Sequence, residues 1–227
     1  NAYKVTGDKI SVIPCCADLQ HFDYRLISEA KKQEIKSQLN IGHSKKVLSY
    51  LGSLGGWYMT GEMLDFFVIL KTKIPESIFL FITQDNRDEI IKAASAKGIS
   101  ADDIRVQAAG RNEVPSYLSV SDWSIFFIKD VYSKKASSPT KQGEIMAMGI
   151  PLICNDIGDT GIIVKEAAVG LVISKFDTDT YGKIAGQMEA LLKSDKEHIH
   201  QSAGKYYDLR NGVSIYNKVY QQIKTTV

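Results

Sequence analysis

The sequence predicts an α/β fold, a parallel sheet doubly wound by flanking helices, on two observations. Segments of strand and helix character alternate along most of the 227 residues, which is the pattern of successive βαβ units. The strand segments are also apolar at nearly every position, as in residues 78–82 (IFLFI) and 124–128 (SIFFI). Strands buried on both faces belong to parallel sheets with helices on either side.

The elements follow in order. Residues 10–14 read as a short apolar strand ended by Pro14. Residues 28–39 have a polar helical pattern with Ala30, Ile35 and Leu39 as its sparse apolar positions, closed by Asn40, Ile41 and Gly42. A strand over 47–51 runs straight into the loop Gly52-Ser53-Leu54-Gly55-Gly56. A helix over 60–73 carries Leu64, Phe66, Phe67, Ile69 and Leu70, and is followed by the strand 78–82. Residues 88–97 form the next helix, stopped by Gly98, and 104–106 a short strand. Behind a turn at Arg111 and Asn112 come a short helix over 114–120 and the strand 124–128.

Residues 133–155, SKKASSPTKQGEIMAMGIPLICN, then read as loop, helix start, short helix, stop and buried strand. Ser138 is placed to cap the helix, and Pro139 suits its first position because the missing N–H would have had no partner there. Gly149 ends the helix and Pro151 blocks its continuation. A strand over 169–173 and helices over 181–193, 196–208 and 213–223 complete the chain. No repeat, low-complexity tract or linker interrupts it. The expectation is one Rossmann-like domain over 1–227, with its core in 46–175, a leading segment and first helix in 1–45, and helices in 176–227.

Composition narrows the function. The chain is 44% hydrophobic and 24% charged, as ordinary water-soluble domains are. A net charge of +2 is too small to argue for nucleic acid or an anionic membrane as a general partner. Cys15, Cys16 and Cys154 are an odd set without metal-ligand spacing, and a reducing cytoplasm suits them. There is no signal-peptide pattern, and no apolar run approaches the about 18 residues of a membrane span. The chain begins at Asn1, and its opening reads as mid-domain sequence, so a fragment lacking an N-terminal part is expected. His198 and His200 lie two apart on a helix and point to different faces, while His21 and His43 sit in polar loops with no carboxylate partner in view. Neither a Ser-His-Asp order nor a Cys-His pair nor zinc spacing emerges.

Open parallel sheets bind ligands beyond the carboxyl ends of their strands, where the strand order reverses. That rule selects the loops 52–56, 107–112, 129–138 and 155–160. A helix starting at Pro139 would offer unpaired N–H groups and a positive dipole end to an anion, beside Thr140, Lys141, Lys134 and Lys135. It reads either as a diphosphate-binding helix start or as a capped surface helix with solvated lysines. Gly52 and Ser53 let backbone approach a phosphate closely, or simply make a βα turn; the loop has neither P-loop nor dinucleotide spacing. Arg111 offers a planar fork for phosphate oxygens, or is a surface turn arginine. Glu144 is placed to accept the hydroxyls of a ribose, or is an exposed helix glutamate. Asp156 and Asp159 serve the next helix start or the site equally well.

Four segments in order resemble one known family. ISVIPCCADLQHF resembles an interdomain V-I-P-N-G-V-D-x-x-x-F phrase, and VLSYLGSLGGWY a first strand with its glycine loop. VQAAGRNEVPSYLSVSDWSIFF resembles a G-x-x-x-x-E-V-P-x-Y-L-x-x-A-D region, and SPTKQGEIMAMGIPLICNDIGDTG a donor-site helix with E-x-x-A-x-G-x-P-V-I. Together they resemble the C-terminal domain of two-Rossmann-domain (GT-B) glycosyltransferases, of the large retaining family (group 1, family 4 type) that includes sucrose synthases and mannosyltransferases. The resemblance implies transfer of a sugar from a nucleotide diphosphate sugar with retention, usually without a metal or other cofactor. It implies that Glu144 binds the ribose, that Thr140 and Lys141 lie at the helix start facing the diphosphate, and that Gly52 and Ser53 lie near the phosphates. With Arg111, Lys135, Ser138 and Pro139 these make up the expected nucleotide-sugar site, and the base would lie near 107–110.

The sequence also departs from the family. The first glutamate of its pair should lie eight residues before Glu144, and that residue is Ala136. Its usual arginine after the first-strand glycine is Ser53, and Tyr58 and Thr60 stand where its lysine would be. Arg111, Lys135 or Lys141 is left to supply that charge. The resemblance further implies a glycan or lipid-linked acceptor held by an N-terminal domain absent from this chain, no nucleic acid, a role in polysaccharide or glycoconjugate synthesis, and a cytoplasmic protein that associates peripherally with the inner face of a membrane. A non-catalytic nucleotide-sugar-binding module is the alternative.

Overall fold

The computed structural model describes residues 10–13 and 15–225. Its centre is a sheet of β1 (Lys46–Leu51), β2 (Ser77–Ile82), β3 (Ile104–Gln107), β4 (Trp123–Phe126), β5 (Leu152–Asn155) and β6 (Gly170–Ile173). The strand order is β3-β2-β1-β4-β5-β6, and each neighbouring pair is parallel. The uninterrupted apolar runs have their cause here: every residue of β2, β4 and β5 is buried. Strand order reverses between β1 and β4, which makes the crevice at their carboxyl ends the topological switch point.

Ten helices surround this sheet among the described residues: α1 (Glu29–Gln38), α2 (Thr60–Lys73), α3 (Arg87–Ser95), α4 (Val114–Leu118), α5 (Thr140–Ala147), α6 (Thr160–Ala167), α7 (Thr178–Ala185), α8 (Met188–Leu191), α9 (Lys196–Tyr207) and α10 (Leu209–Thr225). Short polar caps start several of them. The Ser28 side chain accepts from Lys31 N–H, and Asn86 from Asp88 and Glu89 N–H. Met63, Leu64, Phe66, Phe67 and Leu70 of α2 are buried in the core. At about 25 cal/mol per Å2 of apolar area, each such side chain contributes on the order of 1.5–3 kcal/mol.

Two expectations are corrected. Residues 10–13 form no strand, because Ile10 and Val12 stand 56% and 81% exposed with no sheet to bury them; Pro14 lies outside the described residues. The chain joins the body at Ala17, whose N–H donates to the Tyr207 carbonyl and whose carbonyl accepts from Leu209 N–H. Residues 181–193 are divided between two helices, since α7 ends at Ala185 with Gly186 as its cap and α8 begins at Met188. Glycine is a weak helix former, and the break lets the buried Trp123 indole donate to the Met188 carbonyl at 2.9 Å.

Candidate functional site

Two loops are knitted together at the switch point. Met59 N–H donates to the Phe127 carbonyl at 3.0 Å, and Lys129 N–H to the Trp57 carbonyl at 2.9 Å. Buried Asn155 clamps the end of β4 with two 2.8 Å hydrogen bonds, accepting from Ile128 N–H and donating to its carbonyl. The glycine loop after β1 is held open above them. Gly52 has φ of +109°, a left-handed conformation that costs any other residue strain. Leu54 N–H donates to an Asp85 carboxylate oxygen, which also accepts from the Thr83 hydroxyl at 2.9 Å. The Tyr50 hydroxyl donates to the Ser53 carbonyl at 2.5 Å.

Lys141, in the first turn of α5, reaches across to this loop. Its Nζ donates to the Tyr50 hydroxyl at 3.2 Å and lies 4.4 Å from the Tyr50 ring centroid and 3.6 Å from that of Tyr58. A Cβ on Gly52 would come within 3.0 Å of Nζ, so the absent side chain is what admits the amine. Burial pushes the Lys141 amine down to about 7, with Glu144 pulling the other way. One turn on, the Glu144 side chain is 13% exposed and lies 3.6 Å from the guanidinium of Arg111. Burial raises the Glu144 carboxyl above its ordinary value, opposed by Arg111, Lys141 and His21. The Arg111 guanidinium lies 5.7 Å from the Phe22 ring, and its carbonyl is 3.0 Å from His21 Nε2.

The predicted residues therefore divide. Gly52, Lys141, Glu144 and Arg111 converge, and Ser53 joins them through its carbonyl. Lys135 and Ala136 stand exposed on a turn, and Lys134 lies over the Trp57 ring at 4.5 Å instead. The helix start is corrected in detail. Pro139 is the cap residue, not the first helical one, and no side chain caps α5. The Ser138 hydroxyl is buried toward Tyr207, where neither hydroxyl makes a regular hydrogen bond. First-turn N–H groups of α5 are thus left without a side-chain acceptor, as an anion site requires. Asp156 pairs with Lys165 in the last turn of α6, and Asp159 N–H donates to the Ser137 carbonyl; Asp159 is the cap residue of α6, but its side chain makes no cap hydrogen bond.

Sequence reasoning missed Tyr50, Asp85 and Phe22, and it gave Tyr58 and His21 no part in the site. Tyr50 lay inside an apolar strand run, and nothing in its spacing to Lys141 marks the contact. His198 and His200 turn to the backbone carbonyls of Ala167 and Ala147. Among the described residues there is no group of three or more His, Cys, Asp or Glu arranged for a metal, and no helix long and apolar enough to cross a membrane.

A doubly wound parallel sheet with a lysine, an arginine and a largely covered carboxylate gathered at its switch point defines a Rossmann-like domain with an anion-suited crevice. Residues 31–206 match the family described as glycosyl transferases group 1, and the chain belongs to that family. No curated protein matches. Among solved structures, the chain is similar to a glycosyltransferase from Rickettsia africae (TM-score 0.81, 14% identity, covering 99% of this chain and 60% of that one). It is similar to HepE from Anabaena in complex with UDP-glucose (TM-score 0.72, 14% identity, 99% and 60%). A C-terminal domain of a group 1 glycosyl transferase from Francisella tularensis aligns with TM-score 0.56 and 19% identity, covering 89% of this chain and 97% of that one. The chain thus spans little more than half the length of the first two and nearly all of the third.

Proposed function

We propose that this chain is the donor-binding part of a retaining glycosyltransferase, which transfers a sugar from a nucleotide diphosphate sugar to a glycan or lipid-linked acceptor. One observation carries the reading: Lys141 reaches over Gly52 at the switch point while Glu144, one turn along the same helix, faces the same crevice. Glu144 takes the ribose hydroxyls, displacing Arg111 toward the phosphates. Lys141, Arg111, Thr140, Ser53 and the free N–H groups of α5 surround the diphosphate, with Lys135, Ser138 and Pro139 leading into that turn. The base lies by 107–110, a loop held by Gln84, which donates to the Ala109 carbonyl at 2.8 Å. As the sugar–phosphate bond breaks, charge grows on the departing diphosphate. Fixed cations and a helix start stabilise that charge with no metal required. The acceptor site belongs to a further domain of the longer polypeptide, a cytoplasmic protein working at the inner face of a membrane in polysaccharide or glycoconjugate synthesis.

Calorimetry with UDP, GDP and ADP tests the site. Glu144→Ala is expected to weaken binding about ten- to hundredfold, since two hydrogen bonds to a carboxylate are worth roughly 1.5–3 kcal/mol. Affinity unchanged by the substitution sinks the ribose assignment. Ala136 motivates a second reading, a nucleotide-sugar-binding module without turnover, because the position of the family's first glutamate carries no carboxylate. Turnover of any donor by the full-length protein rules that reading out.

A further inference from the structure

Lys141 is held more tightly than a phosphate-seeking surface lysine needs to be. An ammonium has three protons to place. Here Nζ meets one hydroxyl oxygen, that of Tyr50, and two ring faces. The Tyr50 proton is committed to the Ser53 carbonyl, so its lone pairs face the lysine. No carboxylate of the described residues lies within ion-pair distance of Nζ, because the Glu144 side chain is turned to Arg111. We propose that Tyr50 and Tyr58 are positioning residues that hold Lys141 over Gly52, covered from water and away from any carboxylate, and that Lys141 takes up one proton from solvent when the terminal phosphate of a diphosphate group enters the crevice.

The physical balance has two sides. Removing an amine from water disfavours its charged form, whereas the faces of two tyrosine rings attract a cation. The ionisable groups around Lys141 are few. Glu144 lies on its own helix, with Arg111 of the β3–α4 loop and His21 of the leading segment beyond it. Tyr50 comes from β1 and Tyr58 from the β1–α2 loop. Asp85 of the β2–α3 loop acts on Tyr50 and holds Leu54 N–H. None of these supplies Nζ with a close counter-charge, and an entering phosphate does. With its amine pushed down to about 7, the empty site is mostly uncharged at pH 8, where an ordinary lysine is almost wholly charged. A terminal phosphate with a second pKa of about 6 is fully ionised at that pH, so any proton taken up belongs to the protein.

The identity of the natural ligand rests on the function proposed above, but the box itself answers to any diphosphate. Calorimetric titrations with methyl diphosphate and with UDP, GDP and ADP, run between pH 7 and 9.5 in buffers of different ionisation enthalpy, read the proton directly. The expected result is an uptake that rises with pH toward one proton and is lost in Lys141→Gln. Tyr58→Leu admits water to Nζ and should move the onset of uptake to higher pH. Tyr50→Phe removes the hydroxyl partner and should move it lower; this second variant keeps the test decisive if the first is unfolded. Binding of a nucleoside diphosphate without buffer-dependent heat, or with uptake that survives in Lys141→Gln, overturns the inference and leaves the nucleotide site standing. Lys141-dependent uptake with methyl diphosphate alone supports the box and overturns the nucleotide reading. Binding by neither overturns both. An onset of uptake unchanged in either tyrosine variant that folds overturns their positioning role.

Discussion

Lys141 and Glu144 are displaced toward neutrality from opposite directions by one cause, burial in the same crevice. For the lysine the consequence for stability has a definite sign. Unfolded, its amine keeps the ordinary value of 10.5; folded, it titrates near 7. Between those limits the unfolded chain binds the extra proton, so this residue's contribution to stability rises with pH and is poorest below about 7. Lys141→Met removes that slope. The variant is expected to exceed the parent in stability by about 1–3 kcal/mol at pH 6.5, less than the full shift implies because part of the side chain meets water. The gap should close toward pH 10 in urea titrations. A gap independent of pH would mean that the amine is not displaced. Glu144, Lys141 and Gly52 were legible in the sequence because each is a polar or permissive residue at a telling place in a strand–loop–helix pattern. The tyrosine box was not, because a tyrosine inside an apolar strand looks like core until the fold shows where its hydroxyl emerges.

At the scale of elements, local chemistry fixed most helices and strands, and it failed where tertiary contact decides. Ser138 has the composition of a cap, yet α5 is pressed so closely on α9 that the serine hydroxyl turns inward to Tyr207. The contact depends on Gly143: a Cβ there would lie 2.6 Å from Cβ and Cγ of Tyr207. Gly143→Ala should therefore cost about 1–3 kcal/mol of stability through overpacking. At Gly182 in α7 an added Cβ would meet nothing within 4 Å, so Gly182→Ala is expected to gain about 0.5–1 kcal/mol from helix propensity alone. Paired denaturant melts measure both, and equal effects would mean that packing against α9 is not what requires the glycine. Residues 10–13 failed for the opposite reason, since an apolar run becomes a strand only where a sheet edge receives it.

For the whole molecule, the doubly wound class was readable from alternation and apolar runs, but the place where strand order reverses was not. Periodicity reports that a strand is buried on both faces and is silent about which strand lies beside it. The order β3-β2-β1-β4-β5-β6 brings the loops after β1 and β4 together, and so joins residues far apart in the chain, Tyr50 and Lys141, into one crevice. A ligand in that crevice touches the first and second halves of the sheet at once, and its binding free energy should appear in the unfolding of the entire chain. A nucleoside diphosphate at a hundred times its Kd adds about 2.7 kcal/mol. For a domain of this length that corresponds to a rise in melting temperature of about 5–10 °C. Glu144→Ala at the same ligand concentration should lose most of that rise. At pH 7 and low salt, Lys141→Gln should lose more of it than a substitution of an exposed lysine, Lys135→Gln, does. A rise equal in all three proteins would place the ligand outside the switch point.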